Sequence, residues 1–156
     1  MPAADLKSRL QSDLTEAIRS RDEVRAATLR MALTAVRSEE VAGKSARTLS
    51  DADVVAVLGR EARKRREAVS AYTEAGRADR AQRESAELAV LQTYLPAQLT
   101  DDELSSIVVE AVASARAQGA SGPAAMGRVM KIVQSRIAGR AEGSRVAAEV
   151  RRQLDG

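Results

Sequence analysis

Apolar residues recur every three to four positions along most of this chain, the period of a helix with one buried face. Leu6, Leu10, Leu14, Ala17 and Ile18 mark a first helix from about Asp5 to Ser20. Ala26, Leu29, Leu33 and Val36 mark a second, which fades at Ala42-Gly43, with Arg21-Asp22-Glu23 as the corner between the two. Gly43 to Leu49 is polar and reads as a loop. Ser50 then caps a third helix, with Asp51 and Asp53 at its positive end and Leu49 and Val54 placed as a hydrophobic staple. Its inward side is Val54, Val57, Leu58, Ala62, Val69 and Tyr72. After a turn at Glu74-Ala75-Gly76-Arg77, a fourth helix runs from about Asp79 to Tyr94.

The pattern breaks at Tyr94-Leu95-Pro96-Ala97-Gln98-Leu99-Thr100-Asp101-Asp102-Glu103. Pro96 disfavours helical geometry at Leu95 and has no N–H to continue the ladder. Four residues later, Thr100 and Glu103 form a T-x-x-E capping box, with Leu99 and Leu104 in staple positions. The stretch therefore separates two helical units, residues 1–97 and 98–156, and Pro96 is a candidate hinge.

Beyond it, Leu104, Ile107, Val108, Ala111 and Ala115 share one face of a fifth helix from Asp101 to Gln118, ended by Gly119. Met126, Val129, Met130, Val133 and Ile137 give a sixth helix the most regular stripe in the chain. Arg128, Lys131 and Ser135 face the other way, and Ile132 falls off the stripe. Gly139-Arg140-Ala141-Glu142-Gly143 forms a basic turn. Ser144 is then the expected cap of a seventh helix, with Val146, Val150 and Leu154 inward and Arg145 and Arg152 outward.

Composition agrees with helices throughout. Of 156 residues, 44% are hydrophobic but only 1% aromatic, so the core must be Leu, Val, Ile, Met and Ala. The expected fold is all-α: an N-terminal four-helix domain followed by a small C-terminal three-helix domain. No apolar run approaches the roughly 18 residues of a membrane span. Met1-Pro2-Ala3-Ala4-Asp5 lacks the basic-then-apolar order of a leader, so a soluble cytoplasmic protein is expected, with no membrane contact.

Candidate chemistry is sparse. With no Cys and no His, thiolate chemistry and the commonest acid–base group and metal ligand are excluded. No glycine-rich phosphate loop or nucleophile–base pair occurs. The consecutive acids Asp101, Asp102 and Glu103 suit the first turn of a helix for dipole reasons alone. The expectation is no catalytic residue, no metal site and no cofactor.

Charge changes the picture more. The net value of +3 conceals an asymmetry: from Arg116 to Leu154 there are eight basic residues against Glu142 and Glu149, a local net of +6. That distribution points to an anionic partner. The run Arg63-Lys64-Arg65-Arg66 in the third helix is denser, but consecutive helical residues fan around the axis and cannot address one ligand. With Glu61, Glu67 and Glu74 near, it reads as a solvated surface. Arg128 and Lys131 on the sixth helix, Arg140 in the turn, and Arg145 and Arg152 on the seventh are the candidate RNA-binding residues. Gly127, Gly139 and Gly143 are candidate points of close backbone approach, to a phosphate chain or, at Gly127, to a neighbouring helix.

YLPAQLTDDEL at 94–104, MGRVMK at 126–131 and the Gly139–Gly143 turn, in this order and spacing, resemble the YqeY family. Members share a tail domain with the B subunit of the tRNA-dependent amidotransferase (GatB), in which that domain contacts tRNA while a larger body does the chemistry. Glu142 stands where the family more often has Asp, and the amidotransferase body is absent. The resemblance implies a four-helix and a three-helix domain and an accessory protein that binds tRNA or another folded RNA. Alternatives are a component of glutamine-dependent tRNA transamidation, a carbon–nitrogen ligase reaction with glutamine as amido donor, and a helical adaptor. The partners implied include tRNA-charging or amidotransferase proteins. An adaptor needs exposed apolar surface, for which Val109 and Ile132 are the candidates.

Overall fold

A computed structural model describes residues 5–137 and 139–156. Residues 1–4, on which the expected lack of a leader rests, and Ala138 lie outside the described residues. Seven helices are present among the described residues: α1 (Leu6–Arg19), α2 (Glu23–Glu40), α3 (Asp51–Glu74), α4 (Ala78–Gln92), α5 (Asp101–Ala117), α6 (Pro123–Ile137) and α7 (Gly143–Asp155). Among the described residues there is no strand and no helix long and apolar enough to cross a membrane. The chain divides into two compact units, Met1–Leu95 and Pro96–Gly156.

In the first unit, the helix boundaries follow from local chemistry. Asp5, Asp22 and Ser50 each accept a backbone N–H with the side chain at a helix start, and Ser50 and Asp53 complete a capping box. At the corner after α1, Arg21 takes a left-handed conformation (φ 58°). Its N–H donates to Ile18 O, and that of Asp22 to Ala17 O, so the Schellman bonds form without the usual glycine. Hairpins α1–α2 and α3–α4 pack with α2 against both α3 and α4. Leu10, Leu29, Val36, Val54, Leu58 and Leu91 are fully enclosed between them.

Two polar clusters tie the hairpins together. The Tyr94 hydroxyl donates to Asp13 Oδ2 at 2.6 Å, and Arg25 Nη2 reaches the Tyr94 oxygen at 3.4 Å. The guanidinium of Arg9 lies 5.5 Å from the ring centroid. Burial, with the hydrogen bond to Asp13, raises the phenol's pKa above its ordinary value.

The second cluster corrects the reading of the 63–66 run as a wholly solvated surface. Arg63 and Lys64 do face outward, paired with Glu67 and Glu61. Arg65 is only 5% exposed. Its Nη1 donates to Glu61 Oε2 at 2.7 Å, its Nη2 contacts Met31 Sδ at 3.4 Å, and its Nε lies 3.7 Å from Glu87 Oε2 without a hydrogen bond. Glu87, itself buried, also accepts from Arg83 Nε at 3.2 Å. One arginine of the run thus crosses inward because α4 brings an acid to meet it.

In the second unit, α5, α6 and α7 all touch one another around Leu99, Leu104, Val108, Val129, Val133, Ile137, Val146 and Val150. Thr100 and Glu103 form the expected capping box, and both staple leucines are buried. Pro123 occupies the first position of α6, where a missing N–H costs nothing. The stripe of α6 is shifted slightly from the expected one. Ala125 is fully buried, Met126 and Met130 are half-buried, and Ile132 packs against the core and is no exposed adaptor contact. Val109 stays 55% exposed. Ser144 is not the cap of α7: the helix starts one residue earlier, at Gly143, with Glu142 in the cap position and no side-chain cap bond.

Glu87→Ala should strand Arg65 as a buried cation with Glu61 as its only remaining acid, destabilising the protein by about 2–3 kcal/mol in urea unfolding. The paired change Arg65→Met/Glu87→Leu should cost much less. Equal losses for the single and paired variants would show that the cluster contributes packing rather than charge compensation.

Candidate functional site

The eight basic residues between Arg116 and Leu154 divide evenly. Four have an acidic partner: Arg136 with Glu110 at 2.9 Å, Arg140 with Glu103 at 3.8 Å, Arg145 with Asp101 at 2.9 Å, and Arg152 with Glu149 at 2.6 Å. The other four, Arg116, Arg128, Lys131 and Arg151, are exposed and have no ion pair among the described residues. The surplus charge read from the sequence therefore resides on those four.

Arg140 and Arg145 are engaged in structure. The Leu99 N–H donates to Arg140 O at 2.8 Å, Arg140 Nε donates to Ala97 O at 2.8 Å, and Arg145 Nη2 donates to Leu99 O at 2.7 Å. Together they bind the segment leading into α5 onto the α6–α7 turn and the first turn of α7. Arg152 lines the groove between α5 and α7 together with Arg145. There Glu149 accepts from both its guanidinium and Gln153, and Gln153 donates in turn to Ser105 O at 3.0 Å.

Arg128 and Lys131 lie elsewhere. They line an open groove of about 710 Å³ with Gln118, Gly119, Ala120 and Ser121, beside the α5–α6 turn. Arg128 Nη1 donates to Gln118 Oε1 at 3.4 Å. α6 has 15 residues, hence a length of about 22 Å, with this groove beside its start and Arg140 beyond its end. The five candidate residues thus do not share one groove: the structure brings together Arg128 and Lys131 beside the start of α6, brings Arg145 and Arg152 together on the α5–α7 groove, and leaves Arg140 beyond the end of α6. Arg116 and Arg151, which sequence reasoning counts but does not select, border the opposite side of the α5–α6 turn. Arg116 has no acid at helical spacing, whereas Arg151 has Asp155 four residues on yet forms no ion pair with it among the described residues.

The glycines have different reasons. Gly139 has φ +78°, a left-handed conformation that disfavours any side chain, so the turn itself requires it. Gly127 is exposed, with open space where a Cβ would stand, which rules out a neighbouring helix as its cause. Space is likewise open at Gly143. Gly119 (φ +86°) closes α5, its N–H donating to Arg116 O and that of Ala120 to Ala115 O. The turn places Gly119, Ala120 and Ser121 along the groove. Among the described residues no three acidic side chains group as metal ligands would.

The carboxyl of Glu149 is held down at a pKa of about 2, first by the Arg152 hydrogen bond and then by that of Gln153, from an ordinary value of 4.5. A depressed carboxylate stabilises the fold above its ordinary range, and the contribution is lost as pH falls through about 2. Glu149→Gln should therefore cost about 1 kcal/mol at neutral pH, a figure discounted for the exposed arginine. Thermal melts of the two proteins should converge as the pH is lowered to 2. A difference constant with pH would contradict this.

Comparison with known proteins adds the lineage. An uncharacterized protein of Schizosaccharomyces pombe is 30% identical over 93 residues, 59% of this chain and 73% of that protein. A family model described as Yqey-like protein matches residues 7–154, from the second residue of α1 to the penultimate residue of α7. The match takes in both units and the groove beside the α5–α6 turn, and the chain belongs to the YqeY-like family.

Proposed function

We propose that this protein is a cytoplasmic RNA-binding accessory factor whose ligand is tRNA or another folded RNA. We read its two units as a four-helix and a three-helix domain, each closed around its own core. The observation that carries the reading is the groove beside the α5–α6 turn, where Arg128 and Lys131 stand without acidic partners beside a glycine-containing backbone. Cations already neutralised by carboxylates offer little to a polyanion. Uncompensated ones release the counterions of each phosphate they contact, the main source of sequence-independent affinity. The second unit has neither of the chain's two tyrosines and no other aromatic residue. With no aromatic ring for bases to stack on, recognition there rests chiefly on phosphates and backbone shape, which favours a folded RNA over a particular sequence. The tail-domain resemblance to the amidotransferase B subunit supports the same reading. A role as a component of transamidation rests on that resemblance alone.

Titration of labelled tRNA at two salt concentrations tests it. The wild type should bind with a steep salt dependence. Arg128→Glu/Lys131→Glu should bind more weakly with a slope flatter by about two, one unit for each phosphate that its cation no longer neutralises. Its melting temperature should stay near that of the wild type, since neither side chain is buried. Equal affinities for the two proteins, or binding insensitive to salt, would mean that this groove is not an RNA site.

A further inference from the structure

On the opposite side of the α5–α6 turn lies a second open groove of about 730 Å³, which shares Ala120 and Ser121 with the first. Its character is different. Pro123, Met126 and Leu154 supply apolar surface, and Arg116 and Arg151 are its cations. Neither arginine has an ion pair among the described residues.

Phosphate is a poor occupant here. Asp155 also lines the groove, at the carboxyl end of α7, where the helix dipole is negative. What suits the groove is a flat group with apolar faces and no charge of its own. Guanidinium planes stack on nucleobases, and polarizable methionine packs well against ring faces. The volume is in the range of pockets that take ligands of nucleotide size. Since this unit lacks aromatic side chains, arginine and methionine are the groups it has for stacking.

We propose that this second groove receives an unpaired nucleobase from a single-stranded end or bulge of the RNA whose phosphates lie along Arg128 and Lys131, an inference that rests on the RNA-binding reading above. The two grooves, joined at Ala120–Ser121, then divide the work: one takes the charged backbone and the other an unstacked base. The ligand class narrows accordingly, from folded RNA in general to a duplex with an adjacent unpaired nucleotide.

The test compares binding of one RNA stem–loop in two forms, blunt and with a short single-stranded extension, to the full-length protein. The wild type should prefer the extended form about tenfold, in line with the contribution of one stacked base. Arg116→Ala/Arg151→Ala should abolish the preference while keeping salt-dependent binding to the blunt form. Arg116→Lys/Arg151→Lys preserves charge but removes the stacking plane, so it too should lose the preference. All four substitutions are at exposed positions, so folding should be unaffected. If the wild type binds both forms equally through Arg128 and Lys131, the base-binding inference fails and the RNA-binding reading stands. The same holds if the lysine variant keeps the preference, because the contact is then to phosphate. Binding of neither form overturns both.

Discussion

Three hydrogen bonds tie the segment Ala97–Leu99 to Arg140 in the α6–α7 turn and Arg145 in the first turn of α7, and they set the geometry of the second unit. One is backbone to backbone, from Leu99 to Arg140 at 2.8 Å, and two are charge-assisted, from Arg140 and Arg145 to the carbonyls of Ala97 and Leu99. Hydrogen bonds from a charged donor are roughly twice as strong as neutral ones. Here they fix a stretch with no helical partner of its own and seat Leu99 in the core. With that segment held, Thr100 can cap α5, and Asp101 can pair with Arg145. The direction of α5, and with it the position of the α5–α6 turn, follows.

That arrangement also decides which cations remain for a ligand. A positive stretch in a sequence measures charge density, whereas binding needs charge that is uncompensated. Arg140 and Arg145 are committed to carbonyls and to acids of the α5 N-terminus, Arg152 to Glu149, and Arg136 to Glu110. The remaining four flank one turn, on two grooves of different chemistry. In the first unit, likewise, the densest basic run does not gather on one surface: Arg65 turns inward to Glu61 and Glu87 while Arg63 and Lys64 pair along the helix.

Features governed by neighbours in sequence are legible without the structure. The caps at Ser50 and Thr100, the stop at Gly119 and the break at Pro96 each depend on residues within about four positions, where local rules apply. The apolar stripes are legible for the same reason, apart from a shifted position on α6 and Ile18, which the period assigns to the buried face of α1 but which stays 50% exposed at the end of that helix. What sequence does not show is pairing across long separations. Glu87 meets Arg65 from the next helix, and the carbonyls of Ala97 and Leu99 meet Arg140 and Arg145 from more than forty residues away. A carbonyl acceptor has no residue-type signature at all, so no motif reserves those arginines for structure. The cap of α7 fails differently: Ser144 has the preferred side chain, yet the backbone of the glycine turn starts the helix earlier, at Gly143.

Residue-resolved mapping of tRNA on the isotopically labelled protein tests the division of cations most directly. Backbone amide resonances of Gln118–Ser121 and Gly127–Lys131 should shift on addition of tRNA and return on addition of salt. Those of Ala97–Asp101 and Arg140–Arg145 should stay in place. Shifts centred on the α6–α7 turn, with the α5–α6 turn unmoved, would contradict the assignment of Arg140 and Arg145 to structure and of Arg128 and Lys131 to the ligand.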